Sequence, residues 1–294
     1  MPLAATHGEY LLPDVCFSVV TVLYNSNAVV FDMLSSIPPG IEIILVDNGN
    51  DSPDLSKLPS GAKYFKSGKN IGFGQACNFG AEAATGDFIL FLNPDAILMG
   101  GFFDALRIAV NNYADCSAFC AATYVQSRLH FQNITWIECK LKGERPAMIL
   151  DTNFSGDCCV RFANGGAFAI RRSLFLEMGG FDPNIFLYFE DDDLSWRLLQ
   201  SGQPIILVSD AKVEHVLGKS TPPSRFVEFL RGYGKESSIA YLSCKYGLQD
   251  RANFVLLKII KKIIISSLSF NMRRLYHQLG RLKARIERPT TQVD

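Results

Sequence analysis

The sequence predicts an α/β protein whose centre is an open, mostly parallel β-sheet. Four short strand-like segments occur in the first hundred positions, at residues 17–23, 41–46, 62–66 and 88–92. The first, second and fourth are apolar on both faces, as strands covered by helices are. Helical stretches separate the first strand from the second and the third from the fourth. This alternation is typical of parallel sheets.

Each of these elements has its own boundary signals. A helical stretch follows the first strand and ends near Ser36. The third strand leads into a glycine-rich turn at residues 68–74, and the helix after the turn should end near Gly86. The turn lacks the Lys-Ser/Thr pair of a P-loop and the register of a dinucleotide fingerprint, so alone it is a weak phosphate-binding signal.

The region after residue 100 is less regular. Residues 116–160 show only weak periodicity and are predicted to be strands and loops. A turn and strand follow at 162–170, then a short helix at 172–178 that glycines close. An acidic helix begins at Glu190, and a further strand is predicted at 204–208. From residue 226 onward the pattern is helical, with basic residues between apolar ones.

Composition limits the class of protein. With 294 residues and 48% apolar content, the chain is one large domain or one domain with an appendage. Its net charge is zero, yet Lys and Arg outnumber Asp and Glu by ten between Arg225 and Arg288. Such a tail predicts an anionic partner, a membrane surface or nucleic acid, or else a solvated helical face.

The cysteines and the apolar segments predict the compartment. None of the eight cysteines lies in a C-x-x-C pair or near a histidine at zinc spacing, so they are expected to be buried thiols in a reducing cytoplasm. The first residues lack the basic and apolar regions of a secretory signal. Residues 254–270 are interrupted by Lys258, Lys261 and Lys262, and we expect them not to span a bilayer.

The most distinctive motif is a run of four carboxylates, Glu190, Asp191, Asp192 and Asp193, directly after an aromatic segment. Acids at a helix start can cap the helix and interact with its dipole. Crowding and burial also raise a carboxylate pKa, which is how an enzyme obtains a general base. From this segment alone, capping and catalysis are equally good interpretations.

Polar side chains follow the predicted strands, where open α/β sheets bind ligands. Asp95 and His215 each follow an apolar strand, and a divalent ion could take an oxygen of Asp95, a nitrogen of His215 and phosphate oxygens. Alternatively, Asp95 is a turn residue and His215 is structural.

The ordered set of motifs over about residues 15–220 resembles the family 2 glycosyltransferases, which have the GT-A fold, and most closely their rhamnosyltransferase-like branch. The residues that carry the resemblance are Val20-Thr-Val-Leu-Tyr24-Asn25, Val46-Asp47-Asn48, Asn70-Ile-Gly72-Phe-Gly74-Gln-Ala-Cys-Asn78-Phe-Gly80, Leu90-Phe-Leu-Asn93-Pro94-Asp95, Asn164-Gly-Gly-Ala-Phe-Ala-Ile-Arg-Arg, Gly179-Gly-Phe-Asp182, Phe189-Glu190-Asp191-Asp192-Asp193-Leu and Val213-Glu-His215. The resemblance implies a Rossmann-like catalytic domain at residues 1–224. No specific motif of the family covers the rest, and the residue pattern predicts a basic, amphipathic helical extension at 225–294.

The resemblance also implies a role for each matching residue. The base and ribose would be held by Tyr24, Asn25, Asp47 and Asn48, and the loop over the nucleotide would contain Asn70, Gly72 and Asn78. Asp191 matches the general base with Glu190 beside it, and Asn164, Gly165 and Gly166 match a loop near the two sugars. Mn²⁺ or Mg²⁺ would be bound by Asp95, which would also contact the nucleotide, and by His215. Asn93 replaces the first acid of the family's Asp-x-Asp motif, which weakens the expectation of strict metal dependence.

The activity that follows is inverting transfer of a sugar from a nucleotide-diphospho-sugar to a saccharide acceptor in surface polysaccharide synthesis. A 6-deoxyhexose such as rhamnose from dTDP-rhamnose is the first expectation, and a UDP-hexose the second. The acceptor is expected to be a free or lipid-linked saccharide. The tail would contact the inner face of the cytoplasmic membrane or a second subunit.

Two other classes of protein remain as alternatives. A nucleotidyltransferase that makes nucleotide sugars usually has a basic glycine-rich loop near its first strand, and Tyr24-Asn25-Ser26 has no such residue nearby. A non-catalytic nucleotide-sugar-binding domain would not need Asp191, Asp95 and His215 together. Nucleic-acid binding is not expected, because the tail has no interleaved aromatic platform.

Overall fold

The computed structural model describes residues 15–129, 131–132, 134–144, 148–149, 155–215, 221–249 and 252–287. The strands are β1 (Phe17–Leu23), β2 (Glu42–Asp47), β3 (Lys63–Lys66), β4 (Phe88–Leu92), β5 (Ala96–Leu98), β6 (Ala118–Val125), β7 (Arg128–Leu129), β8 (Phe131–Gln132), β9 (Met148–Ile149), β10 (Cys158–Val160), β11 (Ala167–Arg171) and β12 (Ile205–His215). The α-helices are α1 (Val30–Ser35), α2 (Phe73–Ala83), α3 (Phe102–Asn112), α4 (Trp136–Lys142), α5 (Arg172–Glu177), α6 (Glu190–Gln200), α7 (Arg225–Lys245), α8 (Ala252–Leu268) and α9 (Met272–Glu287).

The central sheet is mixed, with a parallel half formed by the four strands that the sequence predicts. Its order is β10-β12-β6-β11-β4-β1-β2-β3, with β5 on β12 and β7 on β6. β1 pairs in parallel with both β2 and β4, so Val19 lies between Ile43 and Leu90. β11 is antiparallel to both of its neighbours, β4 and β6. The predicted fold class, an α/β sheet flanked by helices, is confirmed.

Helices cover both faces of the sheet and form two apolar clusters. One cluster packs α1 and α3 against one face, and the other packs α2, α5 and α6 against the opposite face. Phe88 and Phe119 are fully buried in the first cluster, while the rings of Phe91, Phe175 and Phe181 contact one another in tilted or edge-on geometry in the second. The sheet therefore lies between two helical layers, and the carboxyl ends of β1, β2 and β4 remain open.

Two elements differ from the sequence prediction. The strand predicted at 204–208 continues to His215, because its second half pairs with β5 and β6 beyond a bulge between Val208 and Lys212. The weakly periodic region contains the helix α4, whose N-cap Thr135 accepts a hydrogen bond from the Glu138 amide. Neither feature has a long periodic pattern that could reveal it.

The C-terminal helices pack on one another and on the sheet domain. α7 and α9 approach so closely that a Cβ atom on Gly232 would lie 1.9 Å from the His277 carbonyl oxygen. Two acids on α7 form ion pairs with three arginines of α9. Glu228 pairs with Arg273 at 2.8 Å, and Glu236 pairs with Arg281 and Arg285. In the part of the chain that the structure describes, no helix is long and apolar enough to cross a bilayer.

Candidate active site

A cavity of about 290 Å³ opens at the carboxyl ends of β1, β2 and β4. Polar residues from the predicted site line much of it, namely Tyr24, Asn48, Asn70, Gly72, Asn93, Asn164, Gly165, Gly166, Glu190 and Asp191. The structure therefore brings together the end of β2, the glycine-rich turn, the 164–166 loop and the start of α6. This is the position at which open α/β sheets bind ligands.

Asn48 fixes the glycine-rich turn at one side of the cavity. Its amide donates to Asn70 Oδ1 at 3.0 Å and to the Gly72 carbonyl at 2.9 Å, and its Oδ1 accepts from the Ile71 amide at 3.0 Å. Gly72 has φ +90°, and a Cβ atom there would lie 2.4 Å from the Phe186 carbonyl oxygen. Only glycine satisfies both conditions without strain. The backbone at residue 72 is therefore restricted to this conformation.

The four acids at the start of α6 have separate roles. Glu190 and Asp191 line the cavity. Asp192 accepts a hydrogen bond from the Trp136 amide at the start of α4. Asp193 is fully buried between cations and bonds Arg197 at 2.8 Å and Lys245 at 2.6 Å. The N-cap of α6 is Phe189 and no side chain caps it, so the interpretation that Asp192 or Asp193 caps this helix is wrong.

The two acids that line the cavity have perturbed pKa values. Burial raises the pKa of Glu190 to about 8, and the neighbouring charge of Asp191 adds to the increase. The Glu190 Oε2 atom has no hydrogen-bond partner within the described residues. Burial also raises the pKa of Asp191, although the amides of Gly165 and Asp192 donate to it and oppose the shift. A raised pKa makes Asp191 a stronger base near neutral pH.

Glutamine at position 190 should make the protein less sensitive to alkaline pH. A raised carboxylate pKa means that the folded state holds the proton more tightly than the unfolded state, so stability is lost as the pH rises from about 4.5 to about 8. Glu190→Gln removes this loss, so its melting temperature should exceed that of the wild type at pH 9 and match it at pH 4. Glu177→Gln, at an exposed position, is the control. Parallel melting curves for all three proteins across pH would contradict the raised pKa.

Asp95 and His215 lie side by side behind the cavity. β5 and β12 pair so that His215 lies opposite Ala96, which places His215 Nε2 3.0 Å from Asp95 Oδ1. Both side chains are buried. Within the described residues, no group of three or more His, Cys, Asp or Glu is arranged to hold a metal. One oxygen and one nitrogen still fit a divalent ion that completes its coordination with phosphate oxygens.

Besides Asp95 and His215, three further predicted site residues bond to protein groups and do not line the cavity. Asn25 Oδ1 accepts from the amides of residues 50 and 51. Asp47 is fully buried and accepts from the Gly49 amide and from the Ser52 and Tyr64 hydroxyls. Asn78 bonds the amide and the carbonyl of Phe181. Each therefore holds a loop in place beneath or beside the cavity.

Two walls of the cavity contain none of the predicted site residues. One is the Phe186–Tyr188 segment, and the other is contributed by Thr221 and by Val227, Leu230 and Arg231 of α7. Ser238 Oγ of α7 donates to the Leu187 carbonyl, and Lys245 bonds Asp182 and Asp193. The helical periodicity of α7 was visible in the sequence, but no motif indicated where the helix packs.

Comparison with known proteins agrees with this geometry. The model of glycosyl transferase family 2 matches residues 18–179. The chain is 26% identical over 238 residues to the probable N-acetylgalactosaminyltransferase 6 of Caenorhabditis elegans, covering 69% of this chain and 38% of that protein. It is 24% identical over 242 residues to the N-acetylglucosaminyl-diphospho-decaprenol L-rhamnosyltransferase of Mycobacterium tuberculosis, covering 69% of this chain and 76% of that one.

The fold has solved counterparts. A crystal structure of GalNAc-T7 with UDP, GalNAc and Mn²⁺ superposes with a TM-score of 0.56 at 17% identity, covering 80% of this chain and 55% of that one. At this identity the likeness concerns the GT-A fold alone. The family model spans more than half of the chain and includes β1, β2, β4 and the glycine-rich turn. The chain therefore belongs to glycosyl transferase family 2.

Proposed function

We propose that the protein is an inverting glycosyltransferase that moves a 6-deoxyhexose, such as rhamnose from dTDP-rhamnose, to a saccharide acceptor in surface polysaccharide synthesis. The observation that carries the proposal is the position of Asp191. Its Oδ2 lies 3.2 Å from the Gly165 amide, and it shares one cavity with the Asn48–Asn70–Gly72 loop. A base and a nucleotide loop that face the same cavity suit direct transfer between two bound sugars. The relationship to an L-rhamnosyltransferase supports the choice of sugar.

In this mechanism Asp191 accepts the proton of the acceptor hydroxyl. The hydroxyl oxygen forms its bond to the sugar C1 while the bond from C1 to the diphosphate oxygen breaks, and the diphosphate leaves with the electron pair. Attack from the opposite face inverts C1 in a single step. A divalent ion held by Asp95 and His215 would neutralise charge on the leaving diphosphate. The Gly165 amide holds the Asp191 carboxylate in place.

The nucleotide would lie along the Asn48 loop. Tyr24, Asn70 and Gly72 line this side of the cavity and would contact the base and ribose. We further propose that Asp47 selects a pyrimidine, together with Asn25. Asp47 is fully buried and does not line the cavity, so this selection would act through the loop that its carboxylate holds by accepting from the Gly49 amide and from the Ser52 and Tyr64 hydroxyls.

A donor screen tests this proposal. Thermal stabilisation is measured with dTDP-rhamnose, UDP-N-acetylglucosamine and GDP-mannose, with Mn²⁺ or with EDTA, because a ligand that binds the folded state raises its stability. We expect stabilisation by dTDP- and UDP-sugars, less by the GDP-sugar, and a smaller effect in EDTA. Equal stabilisation by purine and pyrimidine donors would contradict the role of Asp47. No stabilisation by any donor would contradict the function.

We also propose that the C-terminal extension contacts an anionic membrane surface through α8. α8 exposes a stripe of apolar side chains that no other described element covers: Phe254, Leu257, Ile260, Ile264 and Leu268. Lys258 and Lys261 are exposed on the same helix. By contrast, Arg273, Arg281 and Arg285 of α9 pair with acids of α7, so the basic excess available to lipid is smaller than the sequence suggests.

Vesicle sedimentation should show α8-dependent binding. Each lysine near an anionic surface adds about 1 kcal/mol, and salt screens it. Wild-type protein should sediment with phosphatidylglycerol vesicles at low salt and far less at high salt, and Leu257→Glu should abolish binding. Ile286→Glu, at an exposed apolar position on α9, is the control and should bind normally. A salt-insensitive dimer that Leu257→Glu dissociates, without vesicle binding, would show that the stripe contacts a second copy instead.

A further inference from the structure

Arg231 of α7 brings a positive charge into the cavity. It is the single Lys or Arg that lines the cavity in the described ranges. Burial raises the pKa of the Tyr188 hydroxyl, which lines the same cavity, and the nearby positive charge of Arg231 opposes this shift. Arg231 therefore lines the space where the proposed donor would lie, although α7 follows the segment that matches the family model.

The partners of Arg231 leave this charge largely uncompensated. Arg231 bonds Glu228 Oε1 at 3.0 Å, but the same oxygen accepts from Arg273 at 2.8 Å, and His277 lies 4.0 Å from the other oxygen. One carboxylate shared by two guanidiniums leaves a net positive charge. Glu228 is buried and orients the Arg231 side chain, but its single negative charge is shared and neutralises Arg231 only in part.

The charge of a bound donor would require such a cation. A donor diphosphate is anionic, and the predicted metal motif has the neutral Asn93 where its first acid would be. A metal ion would therefore be held less strongly there, and another positive group would be needed beside the diphosphate. A guanidinium carries a permanent charge and can bond two phosphate oxygens at once, which a point charge cannot do. Positive charge aimed at a leaving group is a strong form of transition-state stabilisation.

We propose that Arg231 binds the diphosphate of the donor and stabilises it as it leaves, with Glu228 as its positioning residue. This inference rests on the proposed function. It names the ligand group, a nucleoside diphosphate, and it assigns a binding role to the C-terminal extension.

Nucleotide binding by paired arginine variants tests the inference. Affinities for dTDP and for thymidine are measured in EDTA by ligand-observed NMR, for the wild type, Arg231→Met and Arg281→Met. Arg281 pairs with a different acid of α7, Glu236, and does not line the cavity, which makes it the control. Loss of a charge-assisted contact should weaken dTDP binding by Arg231→Met about ten- to a hundredfold and leave thymidine binding unchanged. Arg281→Met should bind both ligands as the wild type does.

The possible results distinguish failure of the Arg231 inference from failure of the proposed function. Wild-type protein that binds dTDP, with an Arg231→Met variant that binds it equally well, would overturn the role of Arg231 alone. Equal weakening of dTDP and thymidine would also overturn it, because Arg231 would then only shape the cavity. Wild-type protein that binds neither ligand would overturn both the function and the inference.

Discussion

Asparagine in place of Asp191 should lower turnover about a hundredfold or more and leave donor affinity nearly unchanged. The substitution removes the base but retains an oxygen that can accept from the Gly165 amide, which lies 3.2 Å from Asp191 Oδ2 in the wild type. Turnover is measured as nucleoside diphosphate released per folded enzyme, and donor affinity by calorimetry. The loss should therefore appear in kcat and hardly at all in binding.

Asp192 provides the control for this experiment. It is the next residue in the chain and is also an aspartate, but it is buried, bonds the Trp136 amide and does not line the cavity. Asp192→Asn retains an oxygen that can accept from the Trp136 amide, so it should keep its turnover once the folded fraction is taken into account. If Asp191→Asn retained near wild-type turnover, the assignment of the base would be wrong, and Glu190 would be the remaining acid in the cavity.

Alanine at Gly232 should destabilise the protein by about 3 kcal/mol, the upper part of the range for overpacked positions. A Cβ atom there would lie 1.9 Å from the His277 carbonyl oxygen, so α9 would have to move away from α7. The movement would also separate Glu236 from Arg281 and Arg285. Denaturant unfolding of the purified variant measures the effect.

The direction of the stability change distinguishes the clash between α7 and α9 from the effect of helix propensity. Helix propensity alone favours alanine over glycine by about 1 kcal/mol inside a helix. If α7 and α9 did not touch, Gly232→Ala would therefore stabilise the protein. Gly100→Ala is the control, because a Cβ atom at Gly100 would have no neighbour within 4 Å, and it should change stability by less than about 0.5 kcal/mol.

The sequence was most informative where a local pattern determines the structure. The boundaries of β1 and β4 were predicted to the residue, since a short apolar run between turn signals has few alternatives. The polar residues after β1, β2 and β4 were expected at one edge of the sheet, and Tyr24, Asn48 and Asn93 do line a common cavity. Parallel pairing brings the strand ends together whatever the details of side-chain packing.

Other features depend on contacts between distant segments, which no local pattern contains. The acids at 190–193 look alike in sequence, and their roles diverge because Trp136 and Lys245 approach two of them from elsewhere in the chain. α7 was visible as a helix, but its place beside the cavity depends on the close contact of Gly234 with Leu187. The division at residues 224 and 225 remains a prediction, and Arg231 lies on the C-terminal side of it.

The anomeric configuration of the transferred sugar tests the central claim most directly. Purified enzyme is incubated with dTDP-rhamnose and a saccharide acceptor, and proton NMR reads the configuration at C1 of the new linkage. A single displacement with Asp191 as base predicts that this configuration is opposite to that of the donor. A product with the donor's configuration would exclude a single displacement from the opposite face, and would contradict the mechanism.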